Sequence, residues 1–149
     1  FKNSLNKFIV LRMPRIYGPN DNINNYGPTQ FTFRAMQKQK INIWGSGKEL
    51  REYIHINDII KIFDKIVDSK INGTINIASG KPYSFVDIIT VLQNLLNYKI
   101  SYDHVKRTGT LVNHVFDNTN FKKYFKNYKF IDLNSGIKSL IEKNKFSKK

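Results

Sequence analysis

Two amphipathic stripes, each entered from a short β-rich run and closed by a turn signal, constrain this chain more than any other feature. Ile59, Ile62, Phe63, Ile66 and Val67 recur at helical spacing directly behind Asn57-Asp58, whose side chains supply N-cap chemistry. Residues 51–56 before them read as a strand, and Asn72-Gly73 ends the helix. The unit then repeats. Residues 74–78 form a strand, Ser79-Gly80-Lys81-Pro82 turns the chain, and Ser84 caps a helix with Phe85, Ile88, Ile89, Leu92 and Leu96 inward. Such alternation argues for an α/β or α+β unit and against a helical bundle.

The flanking segments fit the same scheme. Phe8-Ile9-Val10-Leu11 reads as a buried strand, ended by Pro14 and the turn residues Gly18-Pro19-Asn20-Asp21. A polar, asparagine-rich loop follows to Gly27, and loops of that length inside compact domains are often functional. A helix is expected over residues 29–38. Ile41, Ile43 and Trp44 form a short strand stopped by Gly45-Ser46-Gly47, and the spacing to residues 51–56 suggests a hairpin. Further on come a strand at 98–102, a basic loop at 104–110 and a weaker extended stretch at 111–116. Two short helices start near Thr119 and Ser135.

Composition narrows the function classes. A chain of 149 residues that is 40% hydrophobic can bury one core, and no apolar run nears the roughly 18–20 residues of a membrane span. Zero cysteines exclude disulfides and thiolate metal sites, and three scattered histidines argue against a metal centre; a cytoplasmic location is expected. The 25 Lys+Arg against 11 Asp+Glu, net +14, invite a nucleic-acid reading. Most are lysines dispersed among abundant Asn and Ile, as an A/T-rich coding sequence produces. The densest run, Lys122 to Lys129 and then Lys138 to Lys149, falls where a solvated face is usual. No G-x-G-x-x-G or P-loop follows a strand, and no tyrosine with lysine four residues later lies in a helical setting.

Four segments together resemble the nucleotide-sugar epimerase/dehydratase family, the extended short-chain dehydrogenases. Leu11-Arg12-Met13-Pro14-Arg15-Ile16-Tyr17-Gly18-Pro19 is similar to the family's "LRxxNxYGP". The run from Trp44 through Gly45, Gly47, Arg51, Glu52, Tyr53 and His55 to Asp58 resembles "xGxGxxxRDYIHVDD". Gly73-Thr74-Ile75-Asn76-Ile77-Ala78-Ser79-Gly80 looks like "GxYNIGSG". Arg107-Thr108-Gly109 and Asp117-Asn118-Thr119 look like "RPGD" and "DxSK". The order matches over 11–120.

The resemblance implies the carboxy-terminal part of such an enzyme, residues 1–145, with a basic tail at 146–149. It comprises the last Rossmann-type sheet elements and a small α/β domain for a nucleoside-diphosphate sugar. The glycine-rich turn for NAD or NADP and the catalytic Tyr-x-x-x-Lys would lie in an amino-terminal half upstream of Phe1, so no catalytic residue is assigned here. In the family that tyrosine serves as general acid/base and the lysine lowers its pKa. Homodimers are common among such enzymes.

Paired guanidinium forks suit a diphosphate, since they give charge-assisted, two-pronged hydrogen bonds. The arginines are Arg12, Arg15, Arg34, Arg51 and Arg107, of which Arg51 and Arg107 match the family's diphosphate contacts. The alternative for Arg51 is a structural pair with Glu49 or Asp58. Asn42 and Trp44 match the strand that meets the base, with a core tryptophan as the competing role for Trp44. Met13 and Pro14 are placed beside the cofactor. Asp58 is expected as a helix N-cap and His55 as a structural histidine.

Several residues depart from the family pattern. Arg15 stands where asparagine is common, Ala78 replaces glycine, Asn57 an aspartate, and Thr110 an acidic residue. The sequence therefore predicts the nucleotide-sugar-binding portion of an NAD(P)-dependent epimerase/dehydratase, inactive and poorly soluble alone. A non-catalytic nucleotide-sugar binding module and a basic nucleic-acid binder are the alternatives.

Overall fold

The computed structural model describes residues 8–21 and 27–146, so most of the polar loop at 21–27 and the end of the basic tail lie outside the described residues. Among the described residues six strands pair in three parallel couples. β1 (Ile9–Arg12) lies beside β5 (Gly73–Asn76), with Ile9 opposite Gly73. β2 (Arg15–Tyr17) lies beside β4 (Tyr53–His55), and β3 (Ile41–Trp44) beside β6 (Tyr102–Val105). Parallel couples need cover on their faces, and the helices supply it on the inner side of β3, β4 and β5. These are α1 (Pro28–Met36), α2 (Ile56–Val67), α3 (Phe85–Leu96), α4 (Thr119–Tyr124) and α5 (Leu133–Phe146).

Two apolar clusters form the interior. The first gathers Phe31 and Ala35 of α1, Ile41 and Ile43 of β3, Ile88, Ile89 and Leu92 of α3, and Ile137 and Leu140 of α5. The second gathers Ile59, Ile62 and Ile66 of α2, Ile75 and Ile77 around β5, and Phe121 of α4. β4 separates them. Its pleat sends Tyr53 into the first cluster and Ile54 into the second.

Several sequence expectations hold and several need correction. Ser84 caps α3 in a full capping box: its hydroxyl accepts from Asp87 N at 3.1 Å, and Asp87 accepts from Ser84 N at 2.7 Å. The hairpin does not form, because β3 and β4 each find a parallel partner elsewhere, β6 and β2. Arg15 to Tyr17, expected as loop after Pro14, are extended because β4 holds them. Residues 98–101 are not strand. There Tyr98 donates to Ala35 O, and Ile100 N donates to Gln93 Oε1 at 3.0 Å, so side chains tie the exit of α3 before β6 begins. The helix expected near Ser135 starts at Leu133 and runs 14 residues.

The α2 stripe also divides. Ile59, Ile62 and Ile66 are buried, whereas Phe63 and Val67 are exposed and join Ile60 on a second apolar stripe. Asp58 is not the cap; His55 is, with Nδ1 accepting from Asn57 N at 3.2 Å. The buried Asp58 side chain instead accepts from Tyr128 OH and Ile131 N, both at 2.9 Å, and so fastens the segment after α4 to the start of α2. Among the described residues no helix is long and apolar enough to cross a membrane.

Candidate functional site

The pleat of β3 sets the first part of the site. Ile41 and Ile43 point into the core, so Asn42 and Trp44 share the outward face. Trp44 is 43% exposed and is not a core tryptophan. Behind it the chain turns sharply through Gly45 and Gly47, at φ 58 and 69. That left-handed backbone favours glycine, and at Gly47 a Cβ would also press on Ile43 Cδ1 at 2.8 Å. Gly47 O accepts from Phe85 N at 3.0 Å, which anchors the turn on the first residue of α3.

The segment leaving that turn is pinned from both sides. Arg51 exchanges backbone hydrogen bonds with Tyr83 at 2.9 and 2.8 Å, while His114 N donates to Leu50 O at 2.9 Å. Buried Glu52 adds a clip, its Oε1 accepting from Phe116 N at 2.9 Å and its Oε2 from Gly80 N at 3.1 Å. Three loops therefore converge on Arg51.

The arginine side chains meet there. Arg51 Nη2 lies 2.7 Å from Glu49 Oε1, and its Nη1 donates to the carbonyls of Leu50 and Val112. Arg107 pairs through Nη2 with Glu49 Oε2, and its Nη1 donates to Thr110 O at 3.1 Å. One carboxylate thus bridges both guanidinium groups predicted as the diphosphate contacts. Of the two structural partners considered for Arg51, Glu49 makes the pair and Asp58 does not. Burial, followed by the charge of Arg15, lowers the pKa of Arg51, though a guanidinium stays cationic. His114 is likewise lowered, by burial first and then by Arg51 and Arg15. Arg15 itself is exposed on β2 and lines a cavity of about 110 Å³ with Tyr17, Tyr53 and Thr29.

Met13 and Pro14 join the carboxyl end of β1 to Arg15 at the start of β2, with Met13 exposed. The chain has one Tyr-x-x-x-Lys spacing, Tyr102 and Lys106, but it starts on the strand β6. A strand rises about 3.3 Å per residue, so that spacing spreads the pair where a helix would stack it. A larger concavity, about 720 Å³, lies between the ends of α2 and α4; Lys65, Lys123, Lys126 and Lys129 line it with Tyr124 and Tyr128, and none of its lining residues is acidic. Among the described residues no His/Asp/Glu group could hold a metal ion.

Glu49 and Glu52 are the residues to which sequence reasoning gave no site role. Their signal was faint: two acids beside an arginine, in a chain where acids are scarce.

An α/β unit of parallel strand pairs with arginines gathered at a glycine turn defines the class. The chain belongs to the NAD dependent epimerase/dehydratase family, whose profile matches residues 3–78. Among curated relatives, GDP-L-colitose synthase of Yersinia pseudotuberculosis is 29% identical over 104 residues, 67% of this chain and 33% of that protein. GDP-L-fucose synthase 1 of Arabidopsis thaliana is 27% identical over 107 residues, 64% and 33% respectively. The solved structure of UDP-glucuronic acid 4-epimerase from Bacillus cereus, in complex with UDP-glucuronic acid and NAD, superposes with a TM-score of 0.84. It is 20% identical and covers 98% of this chain and 48% of its own. UDP-glucose 4-epimerase of Thermotoga maritima, with UDP-glucose, gives 0.81 at 23% identity, over 96% and 47%. The chain thus spans about a third of these curated relatives and about half of these solved structures. The structural likeness establishes the fold, the Rossmann-type architecture of extended short-chain dehydrogenases.

Proposed function

We propose that this chain is the nucleotide-sugar-binding portion of an NAD(P)-dependent epimerase/dehydratase. The observation that carries this reading is the meeting of Arg51 and Arg107, distant in sequence, on one buried acidic side chain. Two guanidinium groups held one anion apart form a receptor for a diphosphate, whose two phosphates can take the place of the bridging carboxylate. Arg15 adds positive field beside them. Trp44 and Asn42, exposed on the strand that leads into the turn, offer a stacking face and a polar edge to the base.

Catalysis is assigned to a further segment, because the chain holds neither a glycine-rich cradle nor a helical Tyr-x-x-x-Lys. When bound, NAD or NADP would exchange hydride with the sugar. The fit of this chain to that cofactor is partial. Met13 and Pro14 provide an apolar wall at the carboxyl end of a parallel strand, where α/β sheets bind ligands, and no phosphate cradle of their own. The side of β1 left unpaired among the described residues and the second apolar stripe of α2 support a docking face for that further segment.

Calorimetric titration with UDP, dTDP and GDP tests the reading. Arg51→Ala should weaken binding by about 1.5–3 kcal/mol, the worth of a charged hydrogen bond. Unchanged affinity removes Arg51 from the site. Binding by this chain alone fits both this reading and the non-catalytic module, since all the proposed contacts lie within it. A steep loss of nucleic-acid affinity with salt, without competition by UDP, would instead favour the basic concavity as the working surface.

A further inference from the structure

We propose that Glu49 is the specificity-determining residue of the arginine site: its carboxylate occupies the ligand's place and yields it to a diphosphate in preference to a single tetrahedral anion. The inference rests on the reading of Arg51 and Arg107 as the diphosphate clamp. Glu49 gives one oxygen to each guanidinium, Oε1 to Arg51 and Oε2 to Arg107. Its side chain is only 5% exposed, so water does little for it if its partners are taken away.

The exchange at this site is therefore a competition between anions. Both terminal nitrogens of Arg51 are engaged, one by Glu49 and the other by the Leu50 and Val112 carbonyls. An incoming ligand reaches that guanidinium by replacing Glu49. Arg107 is less buried, with a side chain 22% exposed, and is the open flank of the site. A single tetrahedral anion spans its neighbours much as a carboxylate does. It gains little over Glu49 and leaves an acidic side chain buried without its partners. A diphosphate gives each guanidinium a phosphate of its own, and the added charge offsets the displacement. Specificity arises because the resident anion penalises the smaller competitor more. Arg15 acts electrostatically on Arg51, and both act on His114. Arg15 favours either anion, and His114, with its pKa lowered, adds no charge at neutral pH.

The test titrates this whole chain and its Glu49→Gln variant with pyrophosphate and with orthophosphate. In the parent chain pyrophosphate should bind the tighter. In Glu49→Gln the preference should shrink about tenfold, the equivalent of one charged hydrogen bond, mainly through a gain in orthophosphate affinity. The same preference in both proteins overturns the role of Glu49 and leaves the clamp standing. No pyrophosphate binding by either protein refutes the clamp, and the inference with it. If Glu49→Gln does not fold, the parent chain still decides. The carboxyl carbon resonance of Glu49 should shift at saturating pyrophosphate and stay in place at the same concentration of orthophosphate. A resonance unmoved by bound pyrophosphate overturns the proposal.

Discussion

The two apolar clusters are finished to different degrees. Around the first, α1, α3 and α5 close over β3, and the outward side of α3 carries Asp87, Thr90 and Asn94 to solvent. Around the second, α2 covers one side with Ile59, Ile62 and Ile66, yet Ile60, Phe63 and Val67 stand exposed on the same helix. Phe8, just before β1, and Val10 within it are exposed too, and among the described residues β1 pairs along one side only. A helix apolar on two stripes is patterned for burial on both. A two-stranded parallel couple is marginal unless it is extended or covered. The arginine site belongs to the loops joined to the finished cluster, and the proposed docking face to the unfinished one.

The sharpest way to break this contrast is to cut into the finished cluster. Phe31 is fully buried and packs its ring against Phe85 at a centroid distance of 5.9 Å. Phe31→Ala should cost about 3–5 kcal/mol of stability, read as a lower urea midpoint. A loss below about 1 kcal/mol, the size of a tolerated volume-conserving swap, would mean that this cluster does not hold the fold together.

How much of this was legible in the sequence follows the same division. Local signals worked: the stripe of α3, the Ser84 capping box and the extended run of β1 all specify themselves within a few residues, although β1, expected to be buried, leaves Val10 exposed because only one of its faces is covered. Pairing did not, because the partner of β3 is a strand far along the chain and the partner of Arg15 to Tyr17 is β4. Three residues in a strand carry no period to detect. At the site, the residue type was legible, since few arginines exist to choose from. The exposure of Trp44 required knowing which face of β3 the core takes, and the bridge through Glu49 required knowing that the loop holding Arg107 folds back upon it.

A middle-sized effect lies on the seam between the clusters, at His55. Nδ1 accepts from Asn57 N at 3.2 Å, so Nε2 carries the proton and donates to Ser139 Oγ at 3.2 Å, which donates to Gly136 O at 2.7 Å. This chain fits only a neutral ring. Burial lowers the pKa of His55, Lys61 lowers it further, and Asp58 opposes them. The sign follows: the unfolded chain takes up the proton first, so stability is full above the unfolded value of about 6.5 and is lost as pH falls below it. Urea midpoints measured from pH 8 to pH 5 should decline, and His55→Gln should flatten the slope contributed by this group. A variant with the parent's full slope would show that His55 does not sense acid here.

The smallest effect on stability should come from the unfinished face, and it sharpens the comparison most. Phe63 is 42% exposed on the outer stripe of α2, between Ile60 and Val67. Phe63→Lys removes apolar surface that this chain does not bury, and lysine is as good a helix former. Stability should stay within about 0.5 kcal/mol of the parent, as for an ordinary surface change. Solubility and monodispersity in light scattering should rise, because exposed apolar patches drive association. The two readouts separate causes. Improved solubility at constant stability identifies α2 as a face awaiting a partner layer. A stability loss approaching that of Phe31→Ala would show the stripe already covered in solution, by a second copy of this chain or by a rearranged terminus, and the two clusters would then be equally complete.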